Sequence, residues 1–192
     1  MATVQGLEAE THMERVNRLG PYIAAAAVAV LAALVSMGLQ LTNPRFDSEL
    51  TTAVDWAKEI SLTLFIGATI VAMLGLVSYR VVPRVGGSAF LVGQSLILVG
   101  LLAGLLLGHA PDWFFVVGGP GNLLAFIGMM VVAVYAWRHR TLPRVIAVLM
   151  PLSVLFGVGV AEFGGGIVTA VVCAGVGIRL SAYSKSVKPV VT

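Results

Sequence analysis

Residues 145–178 read VIAVLMPLSVLFGVGVAEFGGGIVTAVVCAGVGI and carry a single charge, Glu162, near their middle. As one continuous helix this stretch would extend for roughly 50 Å, whereas the hydrocarbon core of a bilayer is about 30 Å thick. The glycines at 164–166 favour a turn over a helix. The stretch therefore predicts two short membrane spans joined near Glu162. That hairpin places Arg144 and Arg179, which bound the stretch, on one side of the membrane and the carboxylate on the other.

The composition excludes an ordinary soluble domain. Of the 192 residues, 58% are hydrophobic and 11% are charged, whereas about 25% of the residues in soluble domains are charged. The formal charge of +3 would suggest nucleic acid as a partner of a soluble protein. Here the basic residues lie at the ends of apolar runs, so membrane topology explains them and no nucleic-acid partner is expected. The single cysteine, Cys173, excludes an intramolecular disulfide.

The other apolar runs are also of span length. They predict an all-α fold: a polytopic membrane bundle of six transmembrane helices that forms one domain, residues 20–182. The spans are expected at about residues 21–41, 60–79, 88–108, 114–137, 145–161 and 164–180. A polar segment, residues 1–19, precedes this domain, and a tail, residues 183–192, follows it. Pro21 is expected at the start of the first helix, and residues 48–56 are a candidate for a short interfacial helix.

The fourth span contains the sequence Gly118-Gly119-Pro120-Gly121, which is typical of a helix break. If this segment is an outer loop, the span begins at Asn122 and is only 16 residues long up to Trp137. If the span begins at Phe114, the segment is either helical or a broken, re-entrant element near the middle of the membrane. The sequence leaves these interpretations open.

The placement of basic residues predicts the orientation. All but Arg45 and Lys58 of the 12 lysines and arginines lie in the N-terminal segment, in the turns after spans two and four, or at the C-terminal end. By the positive-inside rule, both termini are therefore cytoplasmic and the number of spans is even.

One short sequence recurs in two of the predicted turns between spans. Tyr79-Arg80 followed by Pro83-Arg84-Val85 resembles Trp137-Arg138 followed by Pro143-Arg144-Val145. This indicates either a duplicated hairpin or the general preference of cytoplasmic turns for aromatic residues, arginine and proline.

In span three, Gly100, Gly104 and Gly108 are spaced by four residues. This spacing predicts a stripe along one face of the helix for close packing within the chain or between two copies.

Acidic residues gather on the predicted outer side, together with one histidine: Asp47, Glu49, Asp55, Glu59, Asp112, Glu162 and His109. They form a solvated rim, a cation site, or an acid–base centre. His109, Asp112 and Glu162 are the candidate catalytic residues, because a carboxyl group at the edge of hydrocarbon is easier to keep protonated and can then donate a proton. The same three residues would form the cation site, but their spacing matches no metal motif and no metal is assigned.

Four further residues are candidates for ligand binding: Asp55, Glu59, Gln94 and Asn122. An amide within a span needs a hydrogen-bonding partner. The ordinary partner of Gln94 or Asn122 is another helix, and the alternative is a polar cavity that the amide lines.

The chain resembles small, uncharacterised six-span integral membrane proteins of actinobacteria. The resemblance rests on the acidic outer loop after span one, the glycines of span three, the Trp137-Arg138 turn and Pro151 in span five. It implies a location in the cell (cytoplasmic) membrane and no particular activity.

The leading hypothesis for function is non-enzymatic: the protein binds or passes a small apolar or cationic molecule, or serves as a subunit of a larger membrane complex. The alternative is a membrane-embedded acid–base enzyme, of the cyclase or isomerase type, that acts on an isoprenoid or another lipid. The sequence contains neither the phosphate loop of ATP-driven proteins nor the Gly-x-Ser-x-Gly nucleophile pattern. It indicates no cofactor, and the expected partners are the lipid bilayer and, in an oligomer, further copies of the chain.

Overall fold

Six α-helices make up the regular structure of the residues that the computed structural model describes, which are 4–42, 49–159 and 165–186. The helices are α1 (Val4–Thr42), α2 (Ala53–Ser78), α3 (Arg84–Leu107), α4 (Phe114–His139), α5 (Arg144–Gly159) and α6 (Gly165–Ser186). The predicted all-helical class is thus confirmed.

Four of these helices are long and apolar enough to cross a membrane: Leu19–Thr42 of α1, and α2, α3 and α4 in full. Helices α5 and α6 contribute the shorter apolar segments Arg144–Leu155 and Gly166–Ala182. The outer surface is that of a membrane protein, since large side chains such as Leu106 (88% exposed) face outward whereas Ala29 and Ala125 are fully buried.

The helices form a closed ring. Each packs against the next one along the chain, and α6 returns to pack against α1; α2 also reaches α6. Among the described residues, the other pairs of helices do not contact each other. Because short connections join α2 to α3, α3 to α4 and α4 to α5, these neighbours are antiparallel.

The two ends of the ring differ in charge. The turns and the helix ends beside them, residues 79–84 and 138–144, lie at one end and contain five arginines. At the other end, the backbone N–H of Leu50 donates to the carbonyl of Gly108 at 2.8 Å, and Glu49 pairs with His109 in an isolated antiparallel bridge. These contacts tie the connection before α2 to the connection after α3, so the described acidic residues of both lie together.

Helix α1 is longer than the span predicted at its position. It begins at Val4 and passes through Pro21 without interruption, so the polar N-terminal segment is helical as well and Pro21 lies inside the helix, not at its start. The helix loses one hydrogen bond there. Packing compensates, because Tyr22 lies against the bare backbone of Gly75 in α2: a Cβ atom added to Gly75 would be 2.8 Å from Tyr22 Cβ.

The interfacial helix expected at residues 48–56 is absent from the described part of that stretch, residues 49–56. Instead, α2 itself begins at Ala53, with Thr52 as its N-cap. The backbone N–H of Asp55 donates to Thr52 Oγ1 at 3.2 Å, and the N–H of Thr52 donates to Asp55 Oδ2 at 2.9 Å. This capping box satisfies the first turn of the helix, so Trp56 belongs to the membrane helix and not to a separate element.

Helix α4 begins at Phe114 and continues through Gly118-Gly119-Pro120-Gly121. The loop and re-entrant interpretations of this segment are therefore wrong. The glycines serve packing, since a Cβ atom added to Gly121 would lie 3.0 Å from the carbonyl oxygen of Gly93 in α3. Pro120 faces outward, where the loss of one backbone hydrogen bond disturbs no contact with a neighbouring helix.

A glycine seam holds α3 and α4 together. Its members are Gly86 and Gly93 in α3, and Gly121 and Gly128 in α4. A Cβ atom added to Gly128 would lie 2.6 Å from the Gly86 carbonyl oxygen, and one added to Gly93 would collide with the backbone of Gly121. The spacing along each helix is seven residues. In the four-residue stripe expected at Gly100, Gly104 and Gly108, the first two glycines are buried and pack within the chain, but against the side chains of Phe114 and Glu59 and not against a helix backbone. Gly108 ends α3 in the left-handed conformation, with φ of 74°.

The two arginine-rich turns have the same conformation. Residues 80–85 and 140–145 both read Arg-x-x-Pro-Arg-Val, and Arg80 and Arg140 have φ of 54° and 52°. In each turn the proline carbonyl accepts a hydrogen bond of 3.0 Å from the backbone N–H four residues later. The structural match therefore pairs Arg80 with Arg140, not with Arg138 as the sequence comparison proposed.

The seam generates a stability prediction. We expect Gly93→Ala to lower the free energy of unfolding by about 1–3 kcal/mol, because the new methyl group overlaps the backbone of α4. Gly119→Ala in α4 is the matched control, since nothing lies within 4 Å of a Cβ atom at that position. It should leave the protein equally stable or raise its stability by up to about 1 kcal/mol. Unfolding by sodium dodecyl sulfate in mixed micelles measures both, and equal effects of the two variants would contradict the seam.

Candidate functional site

The ring of helices encloses a central cavity of about 450 Å³. All six helices line it, for example through Gln40, Leu62, Ile97, Phe114, Ser153 and Cys173. Cavities of this size hold small organic molecules. The interior of the bundle is thus a candidate binding site and not a fully packed core.

Most of the cavity wall is apolar. Helix α3 shows how the sequence produces it, because Phe90, Ile97 and Leu101 recur at helical spacing and present one face inward. The wall also includes four phenylalanines: Phe65, Phe90, Phe114 and Phe115. The cavity therefore suits a ligand whose surface is largely hydrocarbon.

Three amides face this apolar interior: Gln40, Gln94 and Asn122. The side-chain oxygen of each is buried and has no hydrogen-bond partner among the described residues. Gln94 is only 5% exposed. A buried, unpaired amide costs about 1–3 kcal/mol, and native proteins contain few of them. Three of the five buried, unpaired side-chain atoms among the described residues thus line this one cavity, so its wall has unused hydrogen-bonding capacity.

The glycine seam places two of these amides at the same depth. Gly93 contacts Gly121, and in each helix the residue that follows is the amide, Gln94 in α3 and Asn122 in α4. Since consecutive residues of a helix point about 100° apart, a glycine that faces the neighbouring helix turns the next side chain toward the ring's interior. Both amides accordingly line the cavity.

The hydroxyl groups in the cavity differ from the amides, because they already donate hydrogen bonds to backbone carbonyls. Ser153 Oγ donates to Met150 at 2.7 Å, Thr69 Oγ1 donates to Ile66 at 2.8 Å, and Thr169 Oγ1 donates to Ser153 at 3.4 Å. The side chains that can still form hydrogen bonds to a ligand are therefore the amides and one carboxylate.

That carboxylate is Glu59, the one charged residue among the described residues that line the cavity. It lies against the backbone of α3 at Gly104, where an added Cβ atom would be 3.3 Å from Glu59 Oε1. The same position is 3.7 Å from the carbonyl oxygen of His109. Gly104 therefore makes room for the carboxylate, at the acidic end of the cavity.

The connection between α3 and α4 covers this end. Ala110 and Pro111 line the cavity, and the hydrogen bond from Leu50 to Gly108 holds the connection in place. Trp56 Nε1 donates to the Leu50 carbonyl at 3.0 Å and extends the same network. The acidic end of the cavity is thus built by two connected loops.

The structure separates the sequence-predicted binding residues. Glu59, Gln94 and Asn122 line one cavity, whereas Asp55 does not line it. The Asp55 carboxylate is occupied by the capping box, accepting from Thr52 Oγ1 at 2.6 Å. Asp55 is therefore part of the helix start and is removed from the candidate binding residues.

The predicted catalytic residues are not brought together in the part of the chain that the structure describes. His109 and Asp112 are exposed and do not line the cavity; His109 Nδ1 lies 3.1 Å from the carbonyl oxygen of Ala110. Glu162 lies outside the described residues. Within residues 4–42, 49–159 and 165–186, no three His, Cys, Asp or Glu side chains form a group that could hold a metal ion.

Gln40 is a cavity residue that the sequence analysis did not select. Its signal was an amide inside an apolar helix, the same feature that selected Gln94. It lies near the end of α1, and the cavity extends to that level of the ring.

The described wall of the cavity thus combines one carboxylate, three amides and four phenylalanines, without histidine, lysine or arginine. This arrangement can bind a hydrogen-bond donor within an apolar environment. No family model, curated protein or solved structure matches the chain, so the chemistry of the cavity has to be read from its own residues.

Proposed function

We propose that this protein binds a small, largely apolar molecule that carries a positively charged or hydrogen-bond-donating group, and that the central cavity is the binding site. The observation that carries the proposal is Gln94, whose amide oxygen is buried in the cavity wall with no partner among the described residues. A ligand with a donor group relieves the cost of that buried oxygen.

The charge of the cavity favours a cation over an anion. Glu59 is the one acidic or basic residue on the described wall and is negative when ionised, and the unpartnered atoms of Gln40, Gln94 and Asn122 are acceptor oxygens. Aromatic faces also attract cations, and four phenylalanines line the same space. A lipophilic amine combines the positive charge, the donor hydrogens and the hydrocarbon surface that this wall requires.

The route into the cavity supports an apolar ligand. Phe115 lines the cavity and is 81% exposed on the outside of the bundle, and Gly119, one turn along α4, is exposed as well. The cavity therefore reaches the outer surface of the ring beside the start of α4. A lipophilic amine dissolved in the bilayer can arrive at this opening without crossing a polar loop.

The acid–base alternative has weaker support. It depends on Asp112 and Glu162 acting within one enclosed space, but Asp112 is exposed and does not line the cavity. Among the described residues, Glu59 is the one carboxylate available there, so no second carboxylate accompanies it. Binding of a ligand with a donor group requires only Glu59 and the amides, which line the cavity.

The proposal includes the membrane topology: all six helices cross the cytoplasmic membrane and both termini are cytoplasmic. The support is the charge difference between the two ends of the ring, together with Arg144 and Arg179, which line a common groove at the basic end. The start of α5 and the end of α6 are therefore on the same side, as a membrane hairpin requires.

Cysteine labelling tests this topology. In a Cys173→Ala background, a membrane-impermeant maleimide applied to intact cells should label His109→Cys and Glu162→Cys. It should label Arg140→Cys only after the cells are opened, because basic turns lie inside. Labelling of Arg140→Cys in intact cells would contradict the orientation. Protection of Glu162→Cys, with His109→Cys labelled, would contradict the sixth span.

Glu59 can be tested with two probes that share one carbon skeleton, adamantylamine and adamantanol. We expect the wild type to bind the amine more tightly, because the carboxylate stabilises its positive charge. Glu59→Gln should weaken amine binding roughly tenfold or more, the magnitude of a charge-assisted hydrogen bond, and should leave alcohol binding unchanged. Equilibrium dialysis against empty micelles measures both.

The matched control is Glu49→Gln, which removes a carboxylate from the same end of the bundle but outside the cavity. It should keep the preference for the amine. Equal uptake of amine and alcohol by the wild type, or equal effects of the two variants, would contradict the preference for a cation and the role of Glu59 in it.

Gln94 gives an independent test because ligand binding and structural stabilisation predict opposite effects. We expect Gln94→Met to leave the unliganded protein equally stable, or more stable by up to about 1–2 kcal/mol, since it removes an unpaired buried amide. Amine binding should weaken about fivefold. A loss of roughly 0.6–2 kcal/mol in stability would instead show that Gln94 bonds to another helix. Ser95→Ala, at the exposed neighbouring position, is the control.

A further inference from the structure

A second concave site lies at the basic end of the ring, on the outside of the bundle. It is a groove between the α4–α5 turn with the first residues of α5 and the last turns of α6. Three arginines line it: Arg140, Arg144 and Arg179. None of the described residues that line the groove is acidic, and none also lines the central cavity. The groove is therefore a separate, strongly basic site.

The polar end of the groove contains unused hydrogen-bonding capacity. Thr141 Oγ1 and Arg179 Nε are buried and have no hydrogen-bond partner among the described residues. Arg144 is held over the ring of Trp137, with its guanidinium carbon 5.4 Å from the ring centroid. The turn conformation, with Arg140 in the left-handed region, fixes the backbone that presents Arg140 and Thr141. These groups place several hydrogen-bond donors along one groove, which suits an anion with several oxygens.

The rest of the groove is apolar and faces the surroundings of the bundle. Its walls include Val145 and Ile178, which are 67% and 70% exposed, and the exposed residues Val171 and Ala174 continue the groove along α6. A free anion would use only the polar end. A molecule with an anionic head and a hydrocarbon chain would use both parts.

We propose that this groove binds an anionic phospholipid, with the phosphate at Arg140, Arg144 and Arg179 and an acyl chain along α6. Charge complementarity and the apolar extension of the groove identify the occupant. Basic pockets between helices at a membrane surface bind lipid headgroups by the same physics. The site is independent of the ligand proposed for the central cavity.

Native mass spectrometry of the purified full-length chain tests the proposal. Phosphatidylglycerol and phosphatidylcholine with identical acyl chains are added in equal amounts, and the retained lipids are counted. We expect the wild type to retain phosphatidylglycerol preferentially. In the double variant Arg144→Gln with Arg179→Gln, the preference should fall roughly fivefold for each arginine removed.

The repeated turn supplies a matched control. Arg80→Gln with Arg84→Gln removes the same charge from the other Arg-x-x-Pro-Arg-Val sequence, whose residues do not line the groove, and should retain the preference. If the first double variant fails to fold, Arg140→Gln alone, an exposed position, should lower the preference about fivefold.

Any of three results would overturn the assignment. The first is that the wild type has no preference for phosphatidylglycerol, and the second is that both double variants lose the preference equally. The third is that inorganic phosphate at the same concentration displaces phosphatidylglycerol from the wild type. The last result would make the groove a site for free anions.

Discussion

Close approach of helix backbones is the constraint on which the rest of this structure depends. In hydrocarbon, burial of apolar side chains contributes little to helix association, so shape complementarity has to hold the ring together. The seam between α3 and α4 provides it, because Gly93 and Gly121 bring two backbones into direct contact. The same contact sets the direction of the next residue in each helix, so the amides of Gln94 and Asn122 point into the ring. Packing and the candidate site therefore have one geometric origin.

Polar groups in this protein follow two different rules. At the ends of the ring they meet water and headgroups, and charge alone decides where they lie. Within the ring each polar group needs a specific partner, and most have one in their own helix, as Ser153 does with Met150. Among the described residues, the exceptions within the ring are the three amides of one cavity, and the two other unpaired atoms, on Thr141 and Arg179, lie at the basic end. Buried unpaired amides are rare in native interiors, so their concentration around one cavity supports the proposed binding site.

The sequence predicted the features that depend on charge and hydropathy. It predicted the helical class, the division of residues 145–178 between two helices and the separation of basic from acidic ends. These features follow from the free energy of transferring each residue type from water to hydrocarbon. It did not predict the continuity of α4. The segment around Pro120 has the local signals of a break, but tertiary contacts decide its conformation, and glycine there fits the surface of α3. Asp55 and Glu59 lie one turn apart and look equivalent in sequence. Only the structure shows that the first caps α2 and the second reaches the cavity.

If the cavity binds a ligand as proposed, its amides also decide which ligands the site can distinguish. An apolar molecule without a hydrogen-bond donor leaves all three amide oxygens unpaired and also excludes water from them. It gains apolar contact area, but the free-energy cost of the unpaired oxygens remains. A molecule of the same shape with a donor group removes part of that cost, and each satisfied oxygen is worth about 1–3 kcal/mol in the comparison. Selectivity then comes from rejection of ligands without donors, which is the direction in which buried polar groups discriminate most strongly. The position of Glu59 at the acidic end adds charge to this criterion, since the carboxylate penalises anions before they reach the amides.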